Sequence, residues 1–271
     1  MIELFEQNIR TNDRQSSKGN QLKWENNGTW YKADYMGYEG FAEYVISHLL
    51  EKSTLREEEY VLYDLEKITY KCKVYNGVKS SDFLTDGWQL ITLERLFKNF
   101  TGESLYQSIF RISDHENRLK FLVGQVERMT GLKDFGVYVN KLLTIDALFL
   151  NEDRHMHNVA VLMNEKGEFA YCPIFDNGAA LLADTKMDYP LEEDTQHLIG
   201  QVQAKTITQD FEEQLELSEM MYGMHLKFSF TEQDVKNILA LAEGYSEEEK
   251  NRVEEIIRYQ KRKYQYLFAK L

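Results

Sequence analysis

From residue 139 to 150 the chain reads Val-Asn-Lys-Leu-Leu-Thr-Ile-Asp-Ala-Leu-Phe-Leu, apolar on nearly every side of a helix. A helix without a polar face has to be buried inside its own domain. The run that follows is almost wholly polar: Asn151-Glu152-Asp153-Arg154-His155-Met156-His157-Asn158. Polar groups fixed at the end of a rigid buried element are candidates for binding or catalysis. Beyond them the pattern predicts two short strands, 159–163 and 169–172, with Asn164-Glu165-Lys166-Gly167 as the turn. Pro173-Ile174-Phe175-Asp176-Asn177-Gly178 comes next. A hairpin brings its two ends together, so Asp153 or Asn158 should approach Asp176.

Upstream, 21–26 and 29–34 alternate apolar and polar residues around Asn26-Asn27-Gly28, which predicts a β-hairpin. A helix is expected over about 39–52, with Phe41, Val45 and Leu49 as its apolar line. Strands are expected at 60–65 and 68–75. Helical spacing then dominates, over 92–99, 104–111, 115–130 and 134–150, and in the tail over 231–243 and 246–269. In the last helix Val253, Ile256, Ile257, Tyr264 and Leu267 share a stripe. The expected fold class is therefore α+β and bilobal: a small β-rich N-lobe over 1–90 and a larger, mostly helical C-lobe over 91–271. A cleft between unlike lobes suits a small ligand.

Composition narrows the partners. With 45 acidic and 32 basic residues the net charge is −13, which disfavours direct nucleic-acid binding and adhesion to anionic membranes. Two distant cysteines, no long apolar run and a mixed, acidic N-terminus lead to the expectation of a cytoplasmic protein without a membrane span.

Two chemistries compete for the polar run. His155 and His157, two apart, fit a strand-borne metal site, but no third histidine stands in a matching context. Phosphoryl transfer needs an aspartate at the acceptor hydroxyl, an asparagine five residues on, and a second aspartate after a short hairpin to hold Mg²⁺. Asp153, Asn158 and Asp176 have that order. The same chemistry needs a strand lysine on the phosphates and an acid on the next helix to fix it. Lys32 and Glu43 fall in those places.

Asp153-Arg154-His155-Met156-His157-Asn158 resembles the Asp-Arg-His-x-x-Asn loop shared by phosphoinositide 3-kinase-like enzymes and HipA-like serine/threonine kinases. Ser16 to Lys23 is similar to the HipA-like loop Ser-x-Ser-Gly-x-Gln-x-Lys, with Ser16, Gly19, Gln21 and Lys23 in matching places. Pro173-Ile174-Phe175-Asp176 resembles the Pro-x-Tyr-Asp of the HipA metal-binding aspartate. The resemblance implies a protein-kinase-like fold that uses ATP and Mg²⁺. It implies Asp153 as the catalytic aspartate, Asn158 and Asp176 as metal ligands, Lys32 on the phosphates with Glu43 as its partner, and Lys23 nearby. Asp153 and His155 both remain candidates for the base. The acceptor it implies first is a protein serine or threonine, with a lipid or small-molecule hydroxyl as the alternative, and a nucleotide-binding pseudokinase as a non-enzymatic one. Lys18 stands where HipA-like kinases carry the autophosphorylated serine, which leaves Ser16 and Ser17 as candidates. HipA carries an extra N-terminal subdomain and this chain begins almost at the phosphate loop, so a kinase with a separately encoded N-terminal partner or a free-standing one is expected; a toxin-type kinase held by an antitoxin-like partner is a further expectation. The adenine-binding hinge is expected between about 70 and 85.

Overall fold

A computed structural model describes residues 1–9 and 21–268 of the protein. Its first sheet has the strand order β1-β4-β5-β3-β2. These strands are β1 (Ile2–Glu3), β2 (Lys23–Asn26), β3 (Thr29–Ala33), β4 (Asp64–Tyr70) and β5 (Lys73–Ser81). The β2–β3 turn is the one expected, with Asn27 and Gly28 at φ +52° and +76°, the positive values that a two-residue hairpin needs. Trp24 and Tyr31 pair across this hairpin. With Leu4, Ile68 and Tyr70 they fill a small core beneath the sheet.

The expected strand 68–75 is instead a second hairpin. The chain turns back at Lys71 and Cys72, both at positive φ (+48° and +61°), so Tyr70 faces Lys73. Neither residue is a turn former, and that concealed the turn. The expected strand at 60–65 is likewise shifted. Only its last two residues enter β4, while Tyr60 bridges to Ile174.

Helix α1 (Glu39–Leu50) packs on the opposite face of the sheet from that small core and is buried at ten of its twelve positions. Its expected apolar line of Phe41, Val45 and Leu49 is fully buried. The loop from β3 into α1 lies hard against the other part of the molecule. A Cβ on Gly37 would fall 1.9 Å from the Ala183 carbonyl oxygen.

A second sheet, of order β6-β7-β8, combines β6 (Trp88–Thr92), β7 (Ala160–Asn164) and β8 (Phe169–Tyr171). The sequence pattern showed β7 and β8 but not β6, and the boundary expected at residue 90 falls inside β6. Around this sheet stand α2 (Leu93–Thr101), α3 (Leu105–Phe110), α4 (His115–Thr130) and α5 (Phe135–Phe149). Thr92, Ser104 and Asp114 start the first three by accepting a backbone N–H in the first turn, which satisfies groups that a helix N-terminus leaves open. Helix α5 is the apolar one and is buried at twelve of fifteen positions.

The remaining helices are α6 (Thr195–Ile199), α7 (Phe211–Tyr222), α8 (Glu232–Ala240) and α9 (Glu247–Lys263). The sequence pattern gave no sign of α6 or α7. Helix α9 stops at Lys263, short of the expected 269. Tyr264 and Leu267 are buried as expected, but a short 3-10 turn carries Leu267 inward. The architecture is mixed α+β, with a curled sheet and one helix in the N-terminal part and a helical C-terminal part. Among the described residues no helix is long and apolar enough to cross a membrane.

Candidate active site

The site forms where β3, α1, the loop after α5 and the end of the β7–β8 hairpin converge. Lys32 stands on β3 and is largely buried. Its ammonium donates to Glu43 Oε1 on α1, to Asp176 Oδ1 at 2.9 Å and to the Tyr63 hydroxyl at 3.3 Å. Lys23 on β2 is directly opposite Lys32 in register and is also buried. Like charges opposed across two strands disfavour the pairing, so this hairpin is shaped for something anionic.

Asp176 supplies part of that negative charge. Burial by itself would raise its pKa, but the charge of Lys32, followed by that of Lys23, outweighs burial and holds the carboxyl well below its usual range. Burial likewise opposes the charge on Lys32, and Asp176 and Glu43 together raise its pKa above the usual lysine value. Burial raises the pKa of Glu43 against the pull of Lys32. Asp176 adopts φ +63°, a strained left-handed conformation that an aspartate tolerates better than most residues.

Arg154 builds the loop after α5. It is 1% exposed. Its Nε and Nη2 donate to Asp146 of α5 at 3.2 and 3.1 Å. Its Nη1 donates to the Phe175 carbonyl at 2.7 Å and its Nη2 to Asn177 Oδ1 at 2.6 Å. One guanidinium thereby joins the buried helix, the polar run and the far end of the hairpin, which is how Asp153, Asn158 and Asp176 come together. Asn158 Nδ2 donates to the Asp153 carbonyl at 2.7 Å and to its Oδ2 at 3.1 Å.

His155 Nδ1 accepts the backbone N–H of His157 at 3.2 Å, and its Nε2 lies 3.7 Å from Asp153 Oδ1. Burial lowers its pKa. A neutral ring whose Nδ1 lone pair is occupied carries its proton on Nε2, facing Asp153.

Two cavities flank these groups. One of about 590 Å³ is lined by Lys23, Trp30, Lys32, Phe83, Asn158 and Asp176, among others. The other, of about 50 Å³, is lined by residues that include Gln21, Glu39, Glu152, Asp153, Asn158 and Asp176. Asn158 and Asp176 thus form a wall common to both. Phe83 of the larger cavity lies in the β5–β6 connection, within the expected hinge range, and its ring is 5.9 Å from that of Phe175.

Asp153, His155, Asn158, Asp176, Lys32, Glu43 and Lys23 therefore meet at one place, with Gln21 at its edge. Ser16 and Gly19 lie outside the described residues. The sequence reasoning missed Asp146, Asn177 and Tyr63. Asp146 was visible as a lone acid in an apolar helix, and an acid there needs a buried cation. Tyr63 gave no signal.

The donor set fits the cation and nucleotide that the sequence resemblance implies. The charge of Lys32 favours the ionised form of Asp176, and Asn158 lines both cavities with its Nδ2 committed to Asp153. Hard oxygen ligands of this kind suit Mg²⁺, which takes its remaining ligands from phosphates and water. Among the described residues no group of three or more His, Cys, Asp or Glu side chains could hold a metal ion.

Neither a family model nor a curated protein matches the chain. Among solved structures it is similar to the crystal structure of the Helicobacter pylori proinflammatory kinase CtkA. The two are 17% identical and superimpose with a TM-score of 0.60, over 97% of this chain and 94% of that one. The likeness shows a kinase-like bilobal fold.

Proposed function

We propose that this chain, with its kinase-like fold, is an ATP- and Mg²⁺-dependent phosphotransferase of HipA-like type that phosphorylates a protein serine or threonine hydroxyl in the cytoplasm. The observation that carries the reading is the contact of Lys32 with both Glu43 and Asp176, with Asp176 on the wall common to a large and a small cavity. The large cavity would take the nucleotide, with Trp30 and Phe83 toward the base and Lys23 and Lys32 toward the phosphates. Asn158 Oδ1 and Asp176 would hold Mg²⁺, which supplies charge to offset the phosphates. The acceptor hydroxyl would reach Asp153 from the side of the small cavity.

In the reaction the hydroxyl oxygen bonds to the γ-phosphorus, the bond to the bridging oxygen breaks, and ADP leaves. The hydroxyl proton passes to Asp153. His155 is a poor base here because its free lone pair is used and its Nε2 bears a proton. It steadies the Asp153 carboxylate instead. Catalysis of this type is mainly positioning and electrostatics.

Transfer from labelled ATP to a panel of peptides, lipids and small alcohols tests the reading. Asp153→Asn should slow peptide phosphorylation by about 100-fold or more without loss of folding. Lipid-only transfer would move the acceptor to the alternative class. Nucleotide binding with no transfer to any acceptor would make the protein a pseudokinase. An antitoxin-like partner is also proposed. Growth arrest on expression, relieved by Asp153→Asn, is its expected sign.

A further inference from the structure

A lysine ammonium has three N–H groups, and in Lys32 all three are taken, by Glu43, Asp176 and Tyr63. No phosphate can reach this charge by hydrogen bond until one partner lets go. Each partner resists differently. Glu43 is fully buried, and its second oxygen already lacks a hydrogen-bond partner among the described residues, so losing Lys32 would strand a buried charge. Releasing Asp176 would put an unpaired carboxylate beside an incoming anion. A divalent cation removes that objection, because Asp176 then gains a new partner as Lys32 leaves it.

Tyr63 is the third partner, and it is fixed in place. It is 3% exposed. Its backbone N–H donates to Ser47 Oγ at 3.1 Å, one turn beyond Glu43 on α1. The stretch just before it is held by Val61 N–H to the Ile174 carbonyl at 3.0 Å and Ile174 N–H to the Glu59 carbonyl at 2.8 Å. The ammonium also sits 5.0 Å from its ring centroid. The phenol lines the large cavity, and burial pushes its pKa up, so it stays a neutral acceptor.

We infer that Tyr63 determines selectivity for the cation-loaded nucleotide: by holding the third N–H of Lys32 it makes the lysine available only when a cation has drawn Asp176 away. The inference rests on the reading of the site as one for ATP and Mg²⁺. Without the Tyr63 oxygen, Lys32 has a spare N–H even when no cation is present.

The test is calorimetric titration of ADP, in Mg²⁺ and in chelator, into the wild-type chain and Tyr63→Phe. The variant should bind metal-free ADP roughly tenfold more tightly, the worth of one charge-assisted hydrogen bond. Its affinity for Mg²⁺-ADP should change by less than about twofold, as Asp176 frees an N–H in both proteins. The ratio of the two affinities should therefore shrink. Tyr63→Leu, which removes ring and hydroxyl, should shrink it in the same direction and serves if the phenylalanine variant fails to fold. A simple packing defect would weaken both affinities together and overturn the inference, as would an unchanged ratio. Wild-type protein that binds Mg²⁺-ADP alongside such a result leaves the site reading standing. Wild-type protein that binds no ADP under either condition overturns both.

Discussion

Arg154 is the residue on which the geometry of the site most depends. It is buried and has partners on α5, in its own loop and beyond the hairpin. Arg154→Lys keeps the charge but loses the planar fork, and a lysine cannot span Asp146, Phe175 and Asn177 at once. We expect a loss of about 1–3 kcal/mol, the usual cost of leaving buried hydrogen-bonding groups unsatisfied, read as a lower urea midpoint. Asp176→Asn removes one of the two carboxylates paired with the buried Lys32, so it too should lower the urea midpoint, and Mg²⁺-dependent ADP binding should fall by at least about tenfold by calorimetry. That these groups meet was readable in the sequence because their order and spacing match the pattern phosphoryl transfer asks for: Asp153 five before Asn158, Asp176 past a hairpin, Lys32 before Glu43. Asp146 and Tyr63 were not, because what gives them a role is a partner far away in sequence.

At the scale of elements, the two hairpins of the first sheet show what makes a turn readable. Asn27-Gly28 declares itself. Lys71-Cys72 takes the same positive φ with residues that pay for it in strain. Cys72 is exposed, so Cys72→Gly should raise stability by roughly 1 kcal/mol in a urea titration. Helix α1 has its own tether. Asp34 accepts the Gly40 N–H at 2.6 Å and the Tyr245 hydroxyl at 2.7 Å, so it ties the start of α1 to the approach to α9. Burial foremost, then the charge of Glu39, raises its pKa to about 7, against about 3.9 when unfolded. The folded state therefore binds this proton more tightly. The stability it contributes is complete below about pH 4 and is lost as pH rises through 7. Asp34→Asn should flatten that limb, so variant and wild type diverge between pH 4 and 7.5, by of the order of 4 kcal/mol at most. The pairing of Phe41, Val45 and Leu49 was plain from spacing, but β6, α6 and α7 were not, as each is short or weakly periodic.

Over the whole molecule the net charge is −13, and Lys23 and Lys32 are the lysines set against it at the site. Lys32 is already paired with Glu43 and Asp176, so under the proposed function nucleotide affinity should depend steeply on the cation. The two parts of the chain are also stitched together. The Tyr38 hydroxyl donates to the Leu181 carbonyl at 2.6 Å, Tyr38 N–H to the Ala183 carbonyl at 3.1 Å, and Lys186 N–H to the Met36 carbonyl at 3.0 Å. We expect one cooperative unfolding transition, with tryptophan fluorescence, dominated by Trp24 and Trp30 of the first sheet, coinciding with the loss of helical circular dichroism. Separate midpoints would mean that the stitching is too weak to couple the parts.

The wall of Asn158 and Asp176 between a chamber of about 590 Å³ and one of about 50 Å³ also governs waste. Only a few water molecules fit in so small a chamber. That chamber is open to the surface, so under the proposed reaction a nucleotide bound without its acceptor still meets those few waters at the attacking face, and some ATP would be hydrolysed idly until a hydroxyl arrives to displace them.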